Sequence, residues 1–213
     1  MNIGIFGGTF NPIHNAHLRI AEESLDNFGL AEVVFVPAAD PPHKDHRLQA
    51  SFRHRLAMVS LAIQGNPRFR VSGMEGERPG KSYSIDTLRA LRKQSPADNM
   101  FFIMGSDSFA EIGTWYEHPA FFDITSIIVA GRPGTTGMSL MAALPVAIAD
   151  RFCYDADLNR LIHSSGNTVS YLEGVPLSIS SSSIRDLLRQ DRSVRYLVPD
   201  SVERYLKEHT LYA

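Results

Sequence analysis

The feature that most constrains this chain is a regular alternation of short apolar runs with amphipathic segments. Asn2–Phe6 is short, apolar and β-branched, and two glycines follow at once, which predicts a buried parallel strand ending in a tight turn. Leu18, Ala21, Leu25 and Phe28 recur at three-and-four spacing, so Asn15–Phe28 predicts an amphipathic helix stopped by Gly29. Val33–Val36 predicts a second strand, and Ser51 can cap a helix running to Ile63 and closed by Gly65. Phe69–Met74 predicts a third strand followed by a polar loop, Glu75–Lys81. Ser82 or Ser84 can cap a helix carrying Ile85, Leu88 and Leu91. Met100–Met104 and Ile127–Ala130 complete a β-α-β-α-β-α-β-α-β order. Such alternation implies an α/β protein with a doubly wound parallel sheet, whose ligands sit beyond the carboxyl ends of the strands.

The remainder is less regular. Residues 138–165 start as a helix and then turn irregular, and Thr168–Leu172 and Leu177–Ser180 predict short strands. Ser181–Arg189 and Ser201–His209 predict helices, a small helical portion over about 181–213. No repeat or low-complexity tract interrupts the 213 residues, and one domain over 1–213 is expected. A net charge of −2 provides no broad basic field, which argues against a nucleic-acid-coating role while still allowing a small phosphorylated ligand. Cys153 is the only cysteine, so an internal disulfide or a multi-cysteine zinc site is excluded. The opening Met1–Phe10 lacks a basic leader and a long apolar run, and no apolar stretch is long enough to span a bilayer. A cytoplasmic protein that binds neither membrane nor nucleic acid is expected, as a monomer or a homodimer.

The loop from the first strand to the first helix, Gly7-Gly8-Thr9-Phe10-Asn11-Pro12-Ile13-His14-Asn15-Ala16-His17, carries the chemistry. Adjacent glycines let backbone N–H groups approach a phosphate, and a helix N-terminus adds free N–H groups and partial positive charge. His14 and His17 are three apart and would share a helix face. The combination suits a polyphosphate. It does not match the G-x-G-x-x-G of dinucleotide-binding oxidoreductases, and Gly76–Ser82 has the wrong spacing for a P-loop. Two histidines at this spacing, with no carboxylate beside them, do not make a metal site.

The same segment resembles the opening motif of the nucleotidyltransferases whose signature is His/Thr-x-Gly-His, and the likeness is greatest to the bacterial nicotinate-nucleotide adenylyltransferase family. Ala16 stands where that family usually has Gly. Pro41-Pro42-His43-Lys44 resembles the family's mononucleotide-binding loop. Ser82-Tyr83-Ser84-Ile85-Asp86-Thr87-Leu88 resembles its S-Y-T-x-x-T-L helix start, which faces the pyridine ring. Ile179-Ser180-Ser181-Ser182-Ser183-Ile184-Arg185 resembles its ATP-binding motif. These motifs stand in order from about Asn2 to Tyr212.

The resemblance implies a Rossmann-like fold of nucleotidyltransferase type and transfer of AMP from ATP to nicotinate mononucleotide. It assigns His14, His17 and Arg185 to stabilising charge on the reacting phosphates, with Mg²⁺ accompanying ATP. Gly7, Gly8, Thr9, Phe10, Gly105, Asp107, Ser180 and Ser183 would form the ATP site. On the mononucleotide side would lie His43, Lys44, Ser82, Tyr83, Thr87, Trp115, Tyr116 and Arg132, with Trp115 stacking on the ring. Asp107 could also cap the helix after the fourth strand. Nicotinamide mononucleotide or phosphopantetheine as acceptor, and a non-catalytic nucleotide sensor, are the competing readings.

Overall fold

The computed structural model describes residues 1–41, 50–131, 137–173 and 177–213. Among the described residues eight strands form one sheet: β1 (Asn2–Gly8), β2 (Glu32–Pro37), β3 (Phe69–Val71), β4 (Asn99–Gly105), β5 (Ser126–Ala130), β6 (Phe152–Asp155), β7 (Arg160–His163) and β8 (Thr168–Leu172). Their order is β3-β2-β1-β4-β5-β8-β7-β6. Pairing is parallel from β3 to β8, while β7 and β6 run antiparallel. The chain builds outward from β1 through β2 to β3, then crosses to the other side for β4. That reversal places a crevice at the carboxyl ends of β1 and β4. The ends are level, since Gly8 pairs with Pro37 and Gly105 with Ala130.

The period-2 alternation of the strands sorts their apolar side chains onto two faces. Ile5, Phe102, Met104 and Val129 share one core with Ile85 and Leu88 of α3 (Ser84–Gln94), Phe109 of α4 (Ser106–Ala110), Phe121 and Phe122 of α5 (His118–Ile124), and Leu140 of α6 (Gly137–Ala143). Phe6, Phe35, Ile103 and Ile128 face the other core. There they meet Leu25 of α1 (Asn15–Phe28), Met58 of α2 (Phe52–Ala62), Ile184 of α7 (Ser181–Arg189) and Leu206 of α8 (Asp200–Glu208). Each such buried side chain contributes about 1.5–3 kcal/mol, which is what holds helices to both faces.

The periodicity of α1 gives its bounds, and Gly29 closes it with a left-handed backbone (φ 57°). Ser51 caps α2, accepting from the His54 amide at 3.4 Å. Other expectations need correction. Gly7 and Gly8 continue β1 instead of forming a turn. Crowding calls for glycine at position 7, where a Cβ would come within 2.7 Å of the Phe102 ring. β3 stops at Val71, and Met74–Glu77 forms a short 3-10 turn that buries Glu75, where a polar loop is expected. Leu177–Ser180 is not a strand. Residues 138–165 are not irregular: after α6 a 3-10 segment, Val146–Arg151, leads into the β6–β7 hairpin, which makes the sheet mixed instead of fully parallel.

Candidate functional site

Every described segment of the site starts at the carboxyl ends of β1, β2 and β4 or at a helix packed beside them. Beyond Gly8 the chain turns at Phe10, which takes a left-handed backbone (φ 48°) unusual for an aromatic residue. The buried Phe10 ring meets Phe6, Phe35 and His17, with centroids 5.5, 5.8 and 5.1 Å away. This packing fixes the loop and one side of the His17 ring.

His14 is the N-cap of α1 and its backbone is extended, so the two histidines do not share a helical face as expected. They meet nonetheless. The His14 amide donates to His17 Nδ1 at 3.2 Å, and the rings stack with centroids 3.6 Å apart. The acceptor role of Nδ1 means that the neutral ring carries its proton on His17 Nε2. His14 is 5% exposed, and burial lowers its pKa from 6.5 to about 4. Burial thus favours its neutral form at neutral pH. Ala16 is buried at the base of this turn.

α7 meets the same loop from the other side. Ser180 caps it, accepting from the Ser183 amide at 3.1 Å, while Ser183 Oγ donates to the Ser180 carbonyl at 2.8 Å. Ser181 Oγ donates to the Pro12 carbonyl at 2.9 Å, and Arg185 Nη1 donates to the Asn11 carbonyl at 2.8 Å. These bonds dock the N-terminal turn of α7 on the loop carrying Thr9, Phe10 and His14. Five buried side-chain polar atoms lack a hydrogen-bond partner among the described residues, and two of them are His14 Nδ1 and Arg185 Nε. Unsatisfied buried groups are rare and costly, and these two belong to the loop and the helix that dock on each other here.

Gly105 ends β4 and is the N-cap of α4, with Asp107 in the first turn, so Asp107 is not the cap. Across the sheet lies the start of α3. Neither Ser82 nor Ser84 caps it; the N-cap is Tyr83, which provides no side-chain hydrogen bond. Ser82 Oγ instead accepts from the Ala39 and Asp40 amides, both at 3.0 Å, and ties the segment after β2 to α3. Thr87 is 2% exposed and faces inward: its hydroxyl donates to Glu75 Oε1 and accepts from Arg78, both at 2.6 Å. Thr87, expected on the pyridine side, is thus a buried brace that ties α3 to Glu75 and Arg78. Tyr83 and Tyr116 rings lie 4.5 Å apart, and Tyr116 is half-exposed. Trp115 is partly buried and packs edge-on against Phe102 and Phe121. His43, Lys44 and Arg132 lie outside the described residues.

Sequence reading missed Arg55, Asn11 and Tyr212. Arg55 is 1% exposed and donates to three carbonyls: Thr9 at 2.8 Å, Ala39 at 3.2 Å and Ala50 at 3.1 Å. Burial pulls its pKa down, opposed by Tyr212 and Glu75. Asn11 Oδ1 accepts from the Ala50 amide at 3.0 Å and from the Tyr212 hydroxyl, whose pKa burial pushes up. An arginine within a helix reads as solvated, and only remote carbonyls make this one internal.

The sheet order, the level strand ends and the histidine pair define a Rossmann-like nucleotidyltransferase. A profile of the cytidylyltransferase-like family matches residues 5–187. A protein of Geobacter sulfurreducens named "Probable nicotinate-nucleotide adenylyltransferase" is 57% identical over 213 residues, spanning 100% of this chain and 99% of that protein. One of the same name from Geobacter sp. strain M21 is 58% identical over 212 residues, spanning 100% and 98%. The chain belongs to the nicotinate-nucleotide adenylyltransferase family. A Plasmodium falciparum nicotinic acid mononucleotide adenylyltransferase complexed with NaAD shares the fold, with a TM-score of 0.76 at 20% identity over 99% of this chain and 97% of that one.

Proposed function

We propose that this chain transfers AMP from ATP to nicotinate mononucleotide, giving nicotinate adenine dinucleotide and pyrophosphate. An oxygen of the mononucleotide phosphate attacks the α-phosphorus of ATP. The bond from that phosphorus to the bridging oxygen breaks, and pyrophosphate leaves with the electron pair. The attacking phosphate is already anionic, so no general base is needed. Catalysis is alignment and stabilisation of charge on the phosphates. The observation that carries the reading is the stacked His14–His17 pair at the start of α1, docked against α7 through Arg185.

In this reading His17 Nε2 and Arg185 donate to the phosphates, and His14 holds His17 by its amide and its ring. Gly7, Gly8, Thr9, Phe10, Gly105, Asp107, Ser180 and Ser183 surround ATP. His43, Lys44, Ser82, Tyr83, Trp115, Tyr116 and Arg132 serve the mononucleotide side. No group of three His, Cys, Asp or Glu side chains able to hold a metal occurs among the described residues. Mg²⁺ would arrive on the triphosphate, and Asp107 would offer it a carboxylate at the strand ends. A single unit over 1–213 in the cytoplasm completes the reading, in keeping with a free, exposed Cys153. No described helix is long and apolar enough to cross a membrane.

Pyrophosphate release with ATP and each of nicotinate mononucleotide, nicotinamide mononucleotide and phosphopantetheine tests the proposal. Release with the nicotinate substrate at the highest kcat/KM is expected. Release only with another acceptor, or none at all, overturns it.

A further inference from the structure

One buried cation bridges the loop proposed for ATP and the segment leading to the mononucleotide side. Arg55 Nη1 donates to the Thr9 carbonyl in the first loop, and Nη2 donates to the Ala39 carbonyl after β2. The Ala39 and Asp40 amides donate to Ser82 Oγ, and the Ser82 amide returns a bond to the Asp40 carbonyl at 3.0 Å. Ser82 is followed directly by Tyr83, the N-cap of α3. Lys81 adds an ion pair to Asp40 at 3.0 Å. A continuous run of backbone and side-chain hydrogen bonds thus joins Thr9 to the start of α3. From Arg55 a branch runs through Ala50 to Asn11, whose carbonyl holds Arg185.

A fully buried guanidinium is an expensive way to fill core space, because its desolvation must be offset by good geometry on every donor. An apolar side chain would fill the volume at lower cost. What the planar fork provides is fixed spacing among three carbonyls from three separate segments, which a lysine's single ammonium cannot reproduce.

We propose that Arg55 is a positioning residue that couples the two substrate sites, so that ATP and the mononucleotide each bind more tightly when the other is present. ATP bound against the first loop holds the Thr9 carbonyl more tightly in the place where it accepts from Arg55. Arg55 then holds Ala39, and Ser82 holds the start of α3 in the arrangement the mononucleotide needs. Linkage makes the effect reciprocal: each substrate raises the other's affinity by the same factor.

The inference rests on the proposed function for the identity of the substrates. Its test is the dissociation constant of nicotinate mononucleotide measured by calorimetry, without and with a saturating non-hydrolysable ATP analogue. The wild-type protein should show a coupling factor of about fivefold or more. Arg55→Lys should reduce that factor to near one while the analogue's own affinity changes less than threefold. A purely structural role would lower the melting temperature and leave the factor intact. An uncoupled wild type, or full coupling in Arg55→Lys, overturns the proposal.

Two further measurements hold if Arg55→Lys does not fold. Ser82→Ala breaks the same run at its far end and should lower the factor at least twofold; unchanged coupling counts against the proposal. In the wild type, the ATP analogue alone should slow hydrogen exchange at the Ala39 and Asp40 amides, and unchanged exchange at saturation rejects it. This last measurement needs no acceptor. A wrong acceptor would appear in the pyrophosphate assay, whereas absent coupling would appear here with the acceptor confirmed.

Discussion

The two sides of the sheet use buried histidine differently. On the parallel side, His14 sits where β1 delivers the chain to α1. It stacks on a second histidine, and its Nδ1 has no partner among the described residues. On the antiparallel side, His163 ends β7 in a cage of Phe122 and Phe152, with Nδ1 2.8 Å from Ser165 Oγ. Burial lowers both pKa values. Yet only His14 lies at an edge where several strands end together, as parallel pairing requires. In a hairpin, neighbouring strands end at opposite edges, so β6 and β7 extend the core without gathering loops. A depressed histidine pKa therefore marks burial on either side, and topology decides which one marks a site.

The largest effect expected from breaking this comparison is on turnover. His17→Ala removes the donor whose orientation His14 fixes, and kcat should fall by about 10²–10³-fold, the usual loss for one transition-state donor. His163→Ala should lower the melting temperature and leave kcat of the folded protein within about twofold. Steady-state rates and thermal melts of both variants check the pair. A His17→Ala protein with near-wild-type kcat, or a folded His163→Ala protein that has lost turnover, would remove the distinction.

Substrate choice comes next. The first-turn amides of α3 are donors at the positive end of a helix dipole, and no side chain caps them. The Asp86 amide already donates to the Tyr83 carbonyl at 3.1 Å, and in the proposed reading a carboxylate on the pyridine ring accepts from the amides before it, whereas a carboxamide must turn its own donor toward one. Each buried mismatch costs about 1–3 kcal/mol, so nicotinate mononucleotide should be preferred by roughly 10²-fold in kcat/KM. Equal values for the two mononucleotides at one ATP concentration would reject this.

What the sequence made legible was local. The three-and-four spacing from Leu18 to Phe28 with Gly29 behind it, Ser51 before α2 and the Ser181–Arg189 helix are contained in a few consecutive residues, and the structure has them where expected. The histidine pair was legible for the same reason, although its geometry depends on His14 leaving the helix. The hairpin was hidden because β6 and β7 are four residues each, and the turn at 156–159 has no Asn-Gly or Asp-Gly signal. The burial of Arg55, Glu75 and Thr87 was hidden because polar residues read as exposed. Their burial is decided by partners from other segments, such as the Thr9 carbonyl for Arg55.

The third expectation is a pH dependence of stability. The unfolded chain protonates His14 around pH 6.5, whereas the folded chain refuses the proton until about 4. More protons are bound by the unfolded state across that window. Stability therefore falls as the pH drops through 6.5, and the loss stops growing below 4. Between pH 7 and pH 5 His14 accounts for about 2 kcal/mol of it. His163 pushes in the same direction. Urea midpoints at the two pH values should differ clearly in the wild type and less in His14→Gln. Identical pH dependence in both proteins would mean that His14 is not the titrating group.

The smallest effect is the sharpest check on the hairpin side. Ser165 Oγ donates to the Phe122 carbonyl at 2.8 Å and lies 2.8 Å from His163 Nδ1. Ser165→Ala leaves the Phe122 carbonyl satisfied, because Asn167 Nδ2 also donates to it at 2.9 Å. His163 loses the Ser165 hydroxyl as a side-chain partner while its Nε2 is already unpartnered. The expected cost is that of one modest hydrogen bond, about 1 kcal/mol, read from a urea titration with an unchanged slope. The kcat should not move, since no described element of the site depends on that turn. A fall in kcat beyond about threefold would show that the hairpin is coupled to the strand ends, and the separation of a catalytic and a structural histidine would no longer hold.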